Sequence, residues 1–211
     1  MAERPVLTGY RYSVYTRAAR IALAEKRVSY DYAEHDPFAG SGVANPHPFG
    51  RVPVLRHGDF TLYETAAITS YVEAGFDGPA LMPEAPKAMA RVSQVVGMVD
   101  AYVYWPLVRQ VYSHGVFRPA MEEAADTAIL RDGLEAAPAV LGALEEVAAE
   151  GLVLSGGFTR ADCHLVPMID AFQQAPRGAE MLAGYPALSE WWARVAERPS
   201  VVETQTPLPT A

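Results

Sequence analysis

The chain has 211 residues, 50% of them hydrophobic, and a net charge of -8, a composition that allows one large or two small packed domains and excludes a disordered chain. The absence of a Lys/Arg cluster argues against nucleic-acid binding, and no run of about 18 apolar residues offers a membrane span. With one cysteine there is no disulfide framework and no Cys-x-x-Cys redox pair, and the start MAERPVLTGY lacks the basic-then-apolar order of a signal peptide, so a cytoplasmic location is expected.

Pro5-Val6-Leu7-Thr8 reads as a first strand stopped by Gly9, and Ala18, Ala19, Ile21, Ala22 and Leu23 then fall at helical spacing up to Lys26. Val28 to Ala33 alternates as a second strand, and Asp36 to Pro48, rich in Pro, Gly, Ser and Asn, reads as loop. Val52 to Arg56 is a short third strand. His57-Gly58-Asp59 supplies a turn, and Phe60 to Tyr63 returns as the hairpin partner before Glu64 and Thr65 open a helix. Pro53 cannot donate to a ladder, so it suits an edge or a turn with a cis Val52-Pro53 bond. Strand, helix, strand, strand, strand and helix thus follow in order, to about Gly75.

FDGPALMPEAP, from Phe76 to Pro86, has the composition of an interdomain linker. Past it the spacing predicts two long helices, at 87 to about 117 and 120 to about 149, with a bend at Pro106. Thr159-x-x-Asp162 is a capping-box pattern opening a helix, a structural role, and Cys163 just inside it reads as a buried small hydrophobe. Pro186 to Arg198, with Trp191-Trp192, reads as a last helix and Pro199 to Ala211 as a loose tail.

Taken in order, Gly50-Arg51-Val52-Pro53, the turn containing Asp59, and Glu64-Thr65-Ala66-Ala67-Ile68 leading into Tyr71 resemble the glutathione transferase superfamily, of the serine-type, bacterial-like cytosolic kind. That family's first domain carries a strand-initiating Val-Pro with a cis bond, then an acidic residue followed by Ser or Thr. The resemblance covers nearly the whole chain. It implies an α/β thioredoxin-like N-terminal domain at residues 1–78 that binds glutathione, and an all-α helical-bundle C-terminal domain at 86–205 that contributes the electrophile pocket.

The resemblance also implies roles for particular residues. The Val52 backbone pairs with the cysteinyl backbone of glutathione as an added strand would, with Pro53 setting the geometry. Thr65 offers its hydroxyl and N–H to the γ-glutamyl carboxylate while Glu64 faces the ammonium; the alternative is that Glu64-Thr65 only caps the helix. Arg51 and His47 lie where similar sequences carry side chains that reach the glycyl carboxylate, although a solvated loop arginine and a surface histidine are their ordinary readings, and His47 stands where the family pattern has Asn. Ser13 is the first choice as the group that stabilises the thiolate, with Tyr10 and Tyr12 as alternatives. It follows the first strand at the spacing Gly9-x-x-x-Ser13 and precedes a helix containing Arg17 and Arg20, with Val14 where many relatives have Pro. Its plain structural role is an N-cap.

Tyr102, Tyr104, Trp105, Tyr112, His114 and Phe117 load the first long helix of the second domain with rings. Tyr104, Trp105 and Tyr112, with Tyr10 and Tyr12, are expected to line an electrophile pocket between the domains, and core packing is the reading for each ring taken singly. No metal-ligand spacing, phosphate-cradling glycine loop or Ser/His/Asp triad stands out, so no metal or nucleotide cofactor is indicated, and the resemblance implies glutathione as co-substrate. The expected activity is addition of the glutathione thiolate to an apolar electrophile, in detoxification, by a cytoplasmic homodimer that binds neither nucleic acid nor membrane. The alternatives are a glutathione-dependent isomerase, dehalogenase or peroxidase on the same fold, and a non-catalytic binding or regulatory module.

Overall fold

The structure is a computed structural model that describes residues 3–39 and 45–209. Residues 40–44 of the predicted loop and the last two residues of the predicted tail lie outside the described residues. The chain divides into two compact units, one ending at Leu81 and the other beginning at Met82.

In the first unit, β1 (Val6–Gly9), β2 (Asp31–Glu34), β3 (Val54–His57) and β4 (Phe60–Tyr63) form a sheet in the order β2-β1-β3-β4. β1 runs parallel to β2 and antiparallel to β3, and β3 is antiparallel to β4, so the sheet is mixed and the expected hairpin is present. Helices α1 (Val14–Glu25) and α2 (Thr65–Gly75) pack on one another. Ala18, Ala19, Ile21, Ala22 and Leu23 of α1 are fully buried, as are Ile68 and Val72 of α2 and Leu7 of β1; removing this apolar surface from water is what holds the layers together.

Two strands start later than their alternation predicts, because backbone donors are absent or already committed. Arg27 takes the left-handed φ of 57° that ends α1, and Val28 N–H donates to Leu23 O at 2.9 Å, a Schellman closure that takes Val28 out of β2. β3 starts at Val54 rather than Val52 because Pro53 has no N–H for the ladder; the Val52-Pro53 bond is cis. Beyond α2, the buried Lys26 ammonium donates to Glu73 O at 3.2 Å and pairs with Glu73 Oε2 at 3.2 Å. The same oxygen accepts from Leu81 N at 2.9 Å, so much of the predicted linker is tied to the first unit.

The second unit is helical throughout its regular structure. α3 (Pro86–Met98) runs on into a π-helix (Val99–Phe117) and one further turn, α4 (Arg118–Ala120). The spacing predicts an α-helix bent at Pro106; instead a 19-residue π-helix contains this proline, which has no N–H and crowds the carbonyl four residues back. α5 (Thr127–Glu150) and α6 (Arg160–Gln174) pack against the π-helix, followed by α7 (Pro176–Leu182), α8 (Pro186–Val195) and α9 (Pro199–Val202). Gly133 of α5 allows that close approach, since a Cβ there would lie 2.6 Å from Gln110 Cβ and 2.9 Å from Pro106 O.

α5 begins at Thr127 and not near Ala120. Asp126 Oδ1 accepts from Ala128 N at 2.8 Å and Ile129 N at 3.3 Å, and such a cap outweighs the helix propensity of the residues before it. The capping box is present at α6: Asp162 Oδ2 accepts from the Thr159 backbone N and hydroxyl, each at 2.7 Å, while Oδ1 accepts from Trp191 Nε1 at 2.7 Å. Cys163 is fully buried beside it. The predicted loose tail is held down as far as Thr204: α9 buries Ser200 and Val201, and Thr204 is buried with its hydroxyl donating to Ser200 O at 2.8 Å, while residues 205–209 carry no regular structure. No described helix is long and apolar enough to cross a membrane.

Candidate functional site

The sheet register gathers the chain's chemical groups at one end of the first unit. Thr8 pairs with Val54 and Val54 with Tyr63, so the next residues along, Gly9, Pro53 and Glu64, lie together at one end of the sheet. Gly9 also pairs with Glu34 of β2. Four stretches therefore meet at this end: the turn from Gly9 to Ser13, the Val52-Pro53 segment, the start of α2, and the end of β2.

Ser13 N–H donates to Tyr10 O at 2.9 Å, which closes the turn and sets Ser13 as the N-cap of α1. Its Oγ accepts from Thr16 N at 3.2 Å, and an oxygen used as acceptor keeps its own proton to give away. The first turn of α1 holds no acidic side chain, so the positive end of its dipole is not cancelled from within. Gly9 has to be glycine here, because a Cβ would collide with the buried side chain of Thr16. Tyr10 and Tyr12 are half-buried and meet edge to face at 5.4 Å, and Tyr10 also meets Phe38 at 6.3 Å.

Glu64 departs from the plain capping reading. It adopts φ 69° and ψ 117°, a conformation L-residues avoid, and its side chain makes no cap hydrogen bond. The carboxylate is 66% exposed, and Ile68 N–H donates instead to the Glu64 carbonyl at 2.9 Å. Thr65, the first residue of α2, is buried. Nothing in the sequence signals this backbone; only the meeting of β4 and α2 imposes it.

His47 is not a surface residue. It is 5% exposed, with Nδ1 accepting from Phe49 N at 3.1 Å, its ring centroid 5.0 Å from that of Tyr63, and Nε2 3.9 Å from Glu64 Oε1. Since Nδ1 is the acceptor, the neutral ring carries its proton on Nε2, toward Glu64. Arg51 is exposed, Val52 half-buried and Pro53 buried. The residue that sequence reasoning passed over is Glu34, whose Oε1 accepts from Arg11 N at 3.1 Å and Arg11 Nε at 3.2 Å.

On the π-helix of the second unit, Tyr104 and Tyr112 are half-buried, the latter 6.1 Å from the Phe117 ring. Tyr102 and Trp105 are 67% and 60% exposed, so core packing does not account for them. His114 is buried and its Nδ1 accepts from Asp126 N at 2.9 Å, a structural bond; burial, with the nearby Arg118, holds its pKa below the ordinary value. Among the described residues, no group of three or more His, Cys, Asp or Glu side chains is placed to hold a metal ion.

A hydroxyl at a helix N-terminus, an exposed carboxylate on a positive-φ hinge and the start of β3 thus share one end of the first unit. A family model described as "Glutathione S-transferase, N-terminal domain" matches residues 7–80, and one described as "Glutathione S-transferase, C-terminal domain" matches residues 108–199. The chain belongs to the glutathione S-transferase superfamily. By family it is a glutathione transferase enzyme. Among its relatives, glutathione S-transferase F6 of Arabidopsis thaliana is 27% identical over 198 residues, covering 91% of this chain and 94% of that protein. The solved structure of glutathione S-transferase-I bound with lactoylglutathione superposes with a TM-score of 0.82 at 26% identity, covering 95% of this chain and 98% of that one. Glutathione S-transferase III in its apo form gives a TM-score of 0.84 at 24% identity over 99% of both chains, a likeness of fold.

Proposed function

We propose that this transferase binds glutathione at the end of its mixed sheet, holds the thiol as thiolate against Ser13, and adds it to an apolar electrophile. The observation that carries this reading is the convergence there of the Ser13-capped start of α1, the Val52-Pro53 segment and the Glu64-Thr65 hinge. The relative with lactoylglutathione bound supports it further.

Each part of the ligand meets a group suited to it. The γ-glutamyl ammonium faces the Glu64 carboxylate, and its carboxylate takes the Thr65 hydroxyl and the N–H groups that open α2. The cysteinyl N–H and C=O pair with the Val52 backbone. Arg51 reaches the glycyl carboxylate from the exposed loop. The thiol then lies against the Ser13 hydroxyl and the positive end of α1. A free thiol has a pKa of about 8.5 and is mostly protonated at neutral pH. Lowering it by about two units takes roughly 2.7 kcal/mol, the size of one charge-assisted hydrogen bond plus a helix terminus. Sulfur attacks the electrophilic carbon, forming the carbon–sulfur bond as the leaving group departs with its electron pair. Apolar rings such as Tyr104, Trp105 and Tyr112 select the electrophile, and the protein works as a cytoplasmic homodimer in detoxification.

The test is an ultraviolet difference titration for thiolate with glutathione near pH 7, on the wild type and Ser13→Ala. The wild type gives a saturable thiolate signal. Ser13→Ala binds glutathione within about threefold but loses the signal and at least about tenfold of kcat, the worth of a single charge-assisted hydrogen bond. A variant with unchanged thiolate and turnover moves the role to Tyr10 or Tyr12.

A further inference from the structure

We propose that Glu34, at the end of β2, is a positioning residue that sets the Ser13 hydroxyl by clasping the turn before it; this rests on the reading of Ser13 as the thiolate partner. The turn hangs from the end of β1 and is closed by one backbone bond, Ser13 N to Tyr10 O at 2.9 Å. Arg11 lies in its middle, where an N–H points out of the turn and finds no partner within it. Glu34 Oε1 takes that N–H at 3.1 Å and Arg11 Nε at 3.2 Å, so one carboxylate oxygen grips the backbone and the side chain of the same residue.

The sheet places this carboxylate. Gly9 pairs with Glu34 in the parallel β1–β2 ladder, and His35 N–H donates to Gly9 O at 2.8 Å just beyond it, so Glu34 stands at the level where the turn departs. Tyr32, two residues back on the same face of β2, has the Arg20 guanidinium 5.5 Å over its ring. Burial and the Glu34 charge push the Tyr32 phenol pKa up. β2 thus holds α1 through Arg20, one helix turn and more along, and holds the turn into α1 through Arg11. β2 is an edge strand with β1 as its one sheet partner, and its Tyr32 and Glu34 are spent on α1 and its approach.

The Arg11–Glu34 pair is partly exposed, with side chains 56% and 34% accessible, so its effect is on local geometry far more than on overall stability. Local geometry is what a hydroxyl donor needs, because a hydrogen bond weakens steeply as its angle closes and a positioned group loses its advantage when it drifts. Without the clasp, Ser13 keeps its cap bond to Thr16 N and the turn keeps its Ser13 N to Tyr10 O bond, but Arg11 N–H loses its acceptor and the approach to Ser13 loosens.

Thiolate difference titration and steady-state kinetics on Glu34→Ala and Glu34→Gln test this, with Ser13→Ala beside them. Glutamine keeps an oxygen that accepts from Arg11 N–H while removing the charge. The expected result is a roughly three- to tenfold loss of kcat and of thiolate signal in Glu34→Ala, an unchanged KM for glutathione, and Glu34→Gln within about twofold of the wild type. Glu34→Val, which suits a strand, replaces the alanine variant should that fail to fold. Wild-type thiolate in Glu34→Ala overturns the proposal, as does equal loss in both variants, which assigns the effect to charge. A wild type that forms thiolate, together with a Ser13→Ala variant that does not, shows that the reading of Ser13 stands apart from such a failure. No thiolate in the wild type removes both.

Discussion

Glu64 holds an exposed carboxylate at the expense of its own backbone. Its φ of 69° is a conformation that costs a non-glycine residue about 1 kcal/mol or more, and the exposed carboxylate contributes no helix cap in return. Replacing it separates the two effects. Glu64→Gly is expected to raise stability by up to about 1 kcal/mol in thermal unfolding, whereas Glu64→Ala keeps the strain. Both are expected to weaken glutathione binding by about tenfold or more in calorimetric titration, through loss of a charge-assisted hydrogen bond. The residue type and its neighbour Thr65 were legible in the sequence; the dihedral was not, because φ is set by where β4 delivers the chain to α2. His47 is a similar case. Its loop composition suggests solvent, and it is buried because the Tyr63 and Phe49 rings fold over it.

At the scale of elements, the start of α6 joins a capping box to a distant indole through one carboxylate. Asp162 is almost fully buried, and burial raises its pKa while donors from Trp191 and Thr159 oppose that shift. Asp162→Ala leaves the Trp191 indole N–H and the Thr159 N–H buried without their acceptor. A loss of about 3 kcal/mol or more is expected in urea unfolding, since each orphaned group costs about 1–3 kcal/mol and a helix loses its cap. Thr159-x-x-Asp162 was readable because a capping box is local, three residues apart. The Trp191 bond was not, since its partners are 29 residues apart. Locality also explains the misplaced start of α5: propensity extends the helix back to Ala120, while the Asp126 side chain, bonded to two N–H groups, starts it at Thr127.

For the whole molecule, stability against acid follows from a buried base. His164 is fully buried, and burial together with Arg160 depresses its pKa from 6.5 to about 3. Between those two values the unfolded chain binds a proton that the folded chain does not, so falling pH favours unfolding. Stability is expected to decline as pH drops below about 6.5, by up to about 1.4 kcal/mol per pH unit from this group. His114, displaced in the same direction, adds to the slope. Denaturant unfolding from pH 7 to pH 4 checks this: His164→Leu flattens the decline, and an identical slope in the variant assigns it to other groups.

The sequence by itself determined the order of strands and helices in the first unit, the helical character of the second, the capping box and the family, because these depend on residue type and short spacing. Strand pairing, the gathering of Gly9, Pro53, Glu64 and Glu34 at one end of the sheet and the burial of His47 were decided by tertiary structure. They depend on which backbone groups remain unpaired once distant segments meet, a quantity that no stretch of sequence contains.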